Sequence, residues 1–233
     1  DNPKTLNSLD LNILKKLKKF LKNAKKQKHK YIILTGKGEV FSSGVNLNKF
    51  SYSNWENNPI NLICKEIEEL EIPSLCIING DVFGAGFELA LSCDFRIGKN
   101  NFKARVPPVK IGINYEPEGI KRMVNILGYQ IVKRLLILGE TFDAKFLYEI
   151  GFLDYLEDNN VSLKNRISFL HECFLENAPL AVSGMKKTLL ELSNDSFEKE
   201  IAKKRVEKCF FSNDFKEGLN AFKEKRKPIF KGN

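Results

Sequence analysis

The sequence predicts an α/β protein in which short buried strands alternate with helices in the first half and helices dominate the second half. Three observations support this prediction. Apolar residues recur at spacings of three and four over 9–24, which is typical of an amphipathic helix. Two short apolar runs bounded by glycine or proline, 31–35 and 74–78, are typical of buried strands. From residue 119 onward the apolar spacing is mainly helical.

The elements can be placed in order along the chain. Ser8 or Asp10 is the expected N-cap of the first helix, because both side chains can accept a backbone hydrogen bond there. The further helices are expected at 60–70, about 87–92, 119–127, 130–138, 144–150 and several times between 162 and 225. The further strands are expected as a pair between 94 and 106 and as a last strand over 151–156. No low-complexity linker or fixed-period repeat divides the chain, so we expect a core of 1–160 and a helical region of 161–233 in one compact unit.

The composition is that of an ordinary globular protein, with 42% apolar and 29% charged residues in a chain of 233. No apolar stretch is long enough to cross a bilayer. The five cysteines are odd in number and scattered, and there are two histidines, so neither a disulfide framework nor a metal site is expected. Reduced thiols favour a cytoplasmic location, although a chain that begins at Asp1 is compatible with a preceding targeting segment.

The formal charge of +9 is concentrated near the start of the chain. Nine lysines fall in one segment: Lys15, Lys16, Lys18, Lys19, Lys22, Lys25, Lys26, Lys28 and Lys30. Such a run is usually a solvated helix face, and it can also attract a polyphosphate ligand or a nucleic acid. Because these lysines belong to no known RNA-binding module, nucleic-acid binding is not the expected role.

Two glycine-rich corners follow the first two predicted strands. The first corner is TGKGEVFSSGVNL, 35–47, and the second corner is NGDVFGAGFEL, 79–89. Backbone N–H groups at such corners lack partners within the chain, and two corners that face each other could hold a developing oxyanion. A dinucleotide fingerprint is excluded, because Leu89 stands where its third glycine would be.

Glu88 lies in the second corner among the apolar residues Phe87, Leu89 and Ala90. Burying a carboxylate costs roughly several kcal/mol of free energy, unless the carboxylate is paired or made neutral. Burial would also raise its pKa toward the range that is useful for acid–base catalysis. We therefore expect Glu88 to serve the same site as the glycines around it.

Four segments occur in a characteristic order: NPKTLNSL (2–9), LTGKGEVFSSGVNL (34–47), NGDVFGAGFELALSCD (79–94) and DFKEGLNAFKEKRKPIF (214–230). With these segments the chain resembles, nearly end to end, the crotonase or enoyl-CoA hydratase/isomerase superfamily. The resemblance implies a crotonase-like spiral of short β-strands and helices, followed by a helical C-terminal region that mediates oligomerisation. A homotrimer or a dimer of trimers is therefore expected.

The resemblance also implies a site. The substrate would be an acyl-CoA thioester, with no metal and no redox cofactor. Its thioester oxygen would lie between the backbone N–H groups of Val45 and Ala85, and Glu88 would be a catalytic carboxylate. Further residues expected to contact the substrate or its CoA portion are Ser43, Gly44, Asn46, Leu47, Gly84, Gly86, Pro108 and Lys225.

One position departs from the pattern of the hydratases that the chain resembles. Those enzymes carry a second catalytic glutamate where this chain has Pro108. Glu116, eight residues further on, is a candidate replacement acid, and it could equally be an acid at the start of the following helix. Tyr115 is a further candidate polar group.

Hydration of a 2-enoyl-CoA is the leading expectation from the resemblance. Double-bond isomerisation by Glu88 with Glu116 is the alternative, because one carboxylate can move one proton. Decarboxylation or hydrolysis of an acyl-CoA, acyl-CoA binding without catalysis, and RNA binding through the lysine-rich first helix stay open as further alternatives.

Overall fold

The computed structural model describes residues 1–27, 29–49 and 58–233. Its strands form two four-stranded sheets. The first sheet contains, in spatial order, β1 (Ile32–Thr35), β3 (Ser74–Ile78), β5 (Phe95–Lys99) and β8 (Tyr155–Glu157), all parallel. The second contains β2 (Val40–Ser42), β4 (Asp81–Phe83), β6 (Lys103–Arg105) and β7 (Thr141–Asp143), parallel except for the β6–β7 pair.

The chain alternates between the two sheets as it advances. The pairs β1–β2, β3–β4 and β5–β6 each place one strand in the first sheet and the next strand in the second. A spiral of short strands therefore repeats in space, although the sequence shows no fixed period. The strands expected at 31–35 and 74–78 are confirmed. The pair expected between 94 and 106 is present, but its two strands belong to different sheets.

The helices enclose the sheets and form most of the second half of the chain. They are α1 (Leu11–Lys26), α2 (Pro59–Glu68), α3 (Ala85–Leu91), α4 (Pro117–Leu127), α5 (Tyr129–Lys133), α6 (Ala144–Glu149), α7 (Asn160–Glu176), α8 (Pro179–Ser193), α9 (Lys199–Phe210) and α10 (Asn213–Glu224). The helix expected over 130–138 is α5 followed by a π-helical turn at Arg134–Leu138. The first corner does not lead directly into an α-helix, because a 3₁₀ turn at Leu47–Lys49 follows it.

Asp10 is the N-cap of α1. Its side chain accepts a hydrogen bond from the backbone N–H of Ile13 at 3.0 Å, which satisfies one of the free donors of the first turn. Ser8 was the other candidate, and its hydroxyl donates to Thr5 instead. The cap fixes the start of α1 directly after the segment that contacts the first corner.

The core of the described chain lies between the sheets and the helices around them. One smaller apolar cluster joins Leu75 and Ile97 of the first sheet to Leu170 and Phe174 of α7. α7 therefore covers one face of that sheet. The division into 1–160 and 161–233 stays a prediction.

The C-terminal helices carry exposed apolar side chains. Leu189 on α8 is 67% exposed, and Phe222 on α10 is 85% exposed. Side chains of this kind are buried when subunits associate. They agree with a role of this region in oligomerisation, and the trimer or dimer of trimers stays a prediction.

All five cysteines are free thiols, with Cys64, Cys76 and Cys93 buried and the other two half-buried. Burial raises the pKa of both Cys64 and Cys76 well above the usual range of a thiol. These thiols therefore remain protonated and act as small apolar side chains. Among the described residues, no helix is long and apolar enough to cross a membrane.

Gly80 allows the chain to pass from β3 to β4. A Cβ on Gly80 would lie 1.7 Å from the carbonyl oxygen of Glu39, which is backbone of the first corner. We expect Gly80→Ala to lower the free energy of unfolding by about 3 kcal/mol or more, because the two corners would be forced apart. Urea unfolding measures the difference.

Gly184→Ala is the matched control for Gly80→Ala. Gly184 lies within α8, and its added Cβ would meet only Arg205 Cβ, at 3.7 Å. This substitution is expected to raise the free energy of unfolding by about 0.4–1 kcal/mol, because alanine restricts the unfolded chain more than glycine does. Equal unfolding midpoints for the two variants would contradict the close approach at Gly80.

Candidate active site

Asn79 joins the two corners. Its side-chain oxygen accepts a hydrogen bond from Gly36 N–H at 3.0 Å, and its side-chain nitrogen donates to the carbonyl oxygen of Gly38 at 2.7 Å. Gly36 follows β1 and Asn79 follows β3, and these strands are parallel neighbours. The corners therefore lie side by side at the carboxyl ends of adjacent strands.

The backbones of the corners touch at Gly44. A Cβ on Gly44 would lie 2.8 Å from the carbonyl oxygen of Phe83 and 3.3 Å from the backbone nitrogen of Ala85. Gly44 and Gly84 also have positive φ values, 85° and 51°, which side-chain-bearing residues adopt rarely. Glycine is required here because a side chain would separate the corners.

The two predicted donors lie next to this contact. Gly44 accepts from Leu9 N–H at 2.7 Å, and Asn46 N–H donates back to Leu9 at 2.9 Å. The Val45 N–H belongs to the same trans peptide group as the Gly44 carbonyl, so it points in the opposite direction, away from Leu9. Ala85 is the first residue of α3, so its N–H has no partner within the helix. Within the described ranges, neither N–H donates to a protein acceptor.

The neighbours of these donors have structural contacts of their own. A Cβ on Gly86 would lie 2.6 Å from Ser42 Cβ, so Gly86 permits α3 to pack on the first corner. Ser43 donates its hydroxyl to the carbonyl oxygen of Thr5 at 3.2 Å, which anchors the N-terminal segment to that corner. Leu47 is exposed. A substrate contact by these residues stays a prediction.

Pro108 and Lys225 lie outside the two corners. Pro108 is buried and begins a 3₁₀ turn that ends before Gly112. Lys225 is the C-cap of α10, with a φ of 54°, and its side chain is exposed. In the part of the chain that the structure describes, no hydrogen bond or ion pair joins Lys225 to either corner.

Glu88 is buried beside the corners, with 3% of its surface exposed. Its Oε2 accepts a hydrogen bond from the Tyr115 hydroxyl at 2.8 Å. Its Oε1 accepts from Arg122 Nη1 at 2.6 Å, and Arg122 is also paired with Glu68. The sequence-based expectation of a buried Glu88 is confirmed, and the carboxylate is held at both oxygens.

Gly119 makes room for this carboxylate in the first turn of α4. A Cβ on Gly119 would lie 2.7 Å from a ring carbon of Tyr115 and 2.9 Å from Glu88 Oε2. Only glycine allows α4 to come this close to the carboxylate without displacing it. The helix, the tyrosine and the glutamate are therefore packed as one unit.

The whole chain also matches a known protein family. The family described as enoyl-CoA hydratase/isomerase matches residues 1–233. The chain belongs to the enoyl-CoA hydratase/isomerase family. An enoyl-CoA hydratase structure from Bacillus anthracis has a TM-score of 0.89 and 27% identity, covering 99% of this chain and 93% of that one. The crotonase fold is thus confirmed.

Two curated members of the family illustrate its range of activities. A protein named methylmalonyl-CoA decarboxylase from Escherichia coli is 28% identical over 97% of this chain and 90% of its own length. A protein named short-chain-enoyl-CoA hydratase from Clostridium acetobutylicum is also 28% identical, over 97% and 90%. Family membership therefore establishes acyl-CoA chemistry at the level of the family, and the particular reaction has to be argued from this chain's own residues.

The electrostatics of Glu88 in this family member combine opposing effects. Burial raises the pKa of Glu88 above the usual value of a glutamate, and the negative charges of Glu68 and Glu116 act in the same direction. Arg122 and the hydrogen bond from Tyr115 lower it. Burial, together with the negative charge of Glu88, raises the pKa of Tyr115 well above the usual range. The Tyr115 hydroxyl therefore keeps its proton and donates it toward Glu88.

Glu116 lies close enough to act on Glu88 through its charge, but it does not share the buried pair. It is half-buried at the N-cap of α4, and its side chain does not cap that helix. Its Oε2 lies 3.4 Å from Asn58 Nδ2. Its position as an acid at the start of α4 is confirmed, although its side chain makes no capping hydrogen bond, and a catalytic role for Glu116 stays a prediction.

Arg122 is a site residue that the sequence analysis missed. It lies on the same face of α4 as the buried residues Gly119, Met123 and Leu127. A lone arginine on an otherwise buried stripe of a helix is a signal for a buried acidic partner. The partner itself could not be identified from the sequence, because Glu88 is 34 residues away along the chain.

Proposed function

We propose that this chain binds an acyl-CoA thioester and stabilises its enolate between the backbone N–H groups of Val45 and Ala85. The proposal is supported by the contact of the two corners at Gly44 and by the absence, among the described residues, of protein acceptors for both donors. Backbone donors that are fixed before the substrate arrives stabilise an oxyanion without reorganisation during the reaction.

We infer further that the enolate arises by decarboxylation of a 2-carboxyacyl-CoA. The observation that supports this inference is that one buried carboxylate, Glu88, lies beside the corners, with proline at the position of the second catalytic glutamate. Hydration has to activate a water and protonate carbon, which two acid–base groups usually share. Decarboxylation requires only one proton donor after the carbon–carbon bond breaks.

The proposed decarboxylation conserves atoms, electrons and protons. The bond between the α-carbon and the carboxylate breaks, CO₂ leaves, and the electron pair enters the thioester enolate. One proton then moves from the Glu88–Tyr115 pair to the α-carbon, and solvent returns a proton to that pair. The raised pKa of Glu88 suits it to this role as a proton donor. The similarity to a protein named methylmalonyl-CoA decarboxylase agrees with the proposal.

Hydration or isomerisation of an enoyl-CoA is the second candidate. Glu116 directly follows Tyr115, whose hydroxyl contacts Glu88 at 2.8 Å, and the charge of Glu116 raises the pKa of Glu88. A side-chain rotation that brought Glu116 to the substrate would restore two acids. The leading expectation of the sequence analysis, hydration of a 2-enoyl-CoA, therefore stays a prediction.

One experiment separates these candidates. The protein is incubated in D₂O with malonyl-CoA, methylmalonyl-CoA and a panel of 2- and 3-enoyl-CoAs, and the products are read by mass spectrometry. Decarboxylation predicts loss of the mass of CO₂ with one deuterium incorporated from solvent. A gain of the mass of water would identify a hydratase instead, and deuterium incorporation with a moved double bond an isomerase.

The control for this experiment is the Glu88→Gln variant, which should lose the product but keep thioester binding. Free CoA as the product would indicate hydrolysis. Binding without any product would leave the chain as an acyl-CoA binder. Absence of both binding and turnover would contradict the proposal.

A further inference from the structure

Three charged side chains form a buried chain across three helices. Glu88 of α3 accepts from Arg122 Nη1 at 2.6 Å, and Arg122 of α4 also donates from Nε and Nη2 to Glu68 of α2, at 2.5 and 3.1 Å. The exposed fractions of the side chains are 4% for Glu88, 7% for Arg122 and 20% for Glu68. One guanidinium therefore bridges the candidate catalytic carboxylate and a second acid.

The surroundings of Glu88 contain few other charges. The titratable and charged groups that face it are Arg122 of α4, Tyr115 and Glu116 before α4, and Cys64 and Glu68 of α2. Within the described residues, Arg122 is the single cation of this group. Since the thiol and the phenol remain protonated, the balance of charge on Glu88 is set by one arginine and two acids.

The fork between Arg122 and Glu68 fixes the direction of the guanidinium. Two parallel N–H···O contacts leave a planar guanidinium little freedom to rotate. The remaining nitrogen, Nη1, donates to Glu88 Oε1. Glu88 Oε2 therefore accepts the hydrogen bond from the Tyr115 hydroxyl. The orientation of Arg122 therefore determines that Oε2, and not Oε1, is the oxygen of Glu88 that contacts Tyr115.

We propose that Arg122 is a positioning residue that orients the Glu88 carboxylate and sets its protonation, and that Glu68 holds Arg122 in place. The inference rests on the proposed role of Glu88 in proton transfer, because it concerns the same site. Arg122 contacts Glu88 at Oε1, and its role is to hold that carboxylate in place. Glu68 holds Arg122 and also adds a second negative charge near Glu88.

The two partners are expected to have opposite effects. Removal of the arginine charge in Arg122→Gln should raise the apparent pKa of Glu88 by about one unit, because a neighbouring opposite charge stabilises the ionised form. Removal of the second negative charge in Glu68→Gln should lower it by a similar amount of about one unit. A merely structural pair would not shift this pKa in opposite directions.

The test measures the titration of Glu88 without requiring any substrate. The free energy of unfolding of each protein is compared with that of the same protein carrying Glu88→Gln, as a function of pH. Because the folded pKa of Glu88 is raised, its contribution to stability falls as pH rises from the usual glutamate pKa to the folded pKa, and is constant above it. The upper end of this window should move up in Arg122→Gln and down in Glu68→Gln.

Turnover provides the second readout. The inflection of the pH profile of kcat should move in the same direction as the stability window. Arg122→Lys keeps the charge but loses the fork, so its inflection should stay near that of the wild type while kcat falls by up to about 10²-fold, the order of effect of a misplaced catalytic group. If Arg122→Gln does not fold, Glu68→Gln and Arg122→Lys still test the proposal.

The matched control is a similar pair far from the site. Arg205 of α9 forms a fork with Glu191 of α8, and both side chains are 17% exposed. Arg205→Gln and Glu191→Gln should change the free energy of unfolding, but they should not shift the pH range over which Glu88 contributes to it. If that pH range is the same as in the wild type in both Arg122→Gln and Glu68→Gln, the inference is overturned. A moved window in a protein that turns over no thioester would support the inference and contradict the proposed reaction.

Discussion

Glu88→Gln is expected to lower kcat by about 10²- to 10⁴-fold, the range that a positioned acid–base group contributes. Glutamine has nearly the same shape and can still accept from Arg122, but it cannot take up and release a proton. KM for the thioester should change little, because Glu88 acts on the reacting carbon and not on the CoA portion. Steady-state kinetics with whichever thioester is turned over provide the measurement.

Glu116→Gln is the control for this result. If decarboxylation is the reaction, kcat of Glu116→Gln should stay within about tenfold of the wild type, because one proton donor suffices. An equal loss in both variants would contradict the one-acid mechanism and favour the two-acid isomerase or hydratase. Full activity of Glu88→Gln would exclude Glu88 as the proton-transfer group in any of these reactions.

The fold follows from the sequence where apolar runs are long enough to show a period. The strand over 74–78 and the helices over 119–127 and 144–150 were predicted within a few residues. β2, β4 and β7 were not predicted, because three residues are too few to display an alternation. The second sheet exists because these short segments pair with neighbouring strands, and that pairing cannot be read from any one of them.

The candidate site was predictable to the extent that it depends on local backbone. The glycines of the two corners and the apolar neighbours of Glu88 are visible in the sequence. The partners of Glu88 were not, since Arg122 and Glu68 lie 54 residues apart along the chain and meet only because α2 and α4 both pack on α3. The charges that surround a buried carboxylate come from distant parts of the chain, so they could be identified only once the fold was known.

Ala85→Pro is expected to lower kcat/KM by about 10²- to 10³-fold, the cost of removing one oxyanion donor. Proline at this position has no N–H and carries its ring Cδ where the amide hydrogen was, so the contact between Ala85 and the thioester oxygen is deleted. α3 should still begin at the same residue. The N–H of its first residue has no acceptor within the helix, so its loss breaks no helical hydrogen bond, and the fixed φ of proline suits this position. Turnover is measured beside circular dichroism of the variant.

The residue before the new proline has to tolerate it as well. Gly84 has φ 51° and ψ −124°, the mirror image of the extended conformation that precedes proline, and glycine adopts both forms about equally. Ala85→Gly is the matched control: it retains the N–H while costing about 1 kcal/mol of helix stability, more than proline costs at a first helical position. If the Ala85→Gly variant loses as much activity as the Ala85→Pro variant, the loss arises from the helix and not from the donor, and the oxyanion must be held elsewhere. If only the Ala85→Pro variant loses activity, the backbone N–H of Ala85 is the group that stabilises the enolate.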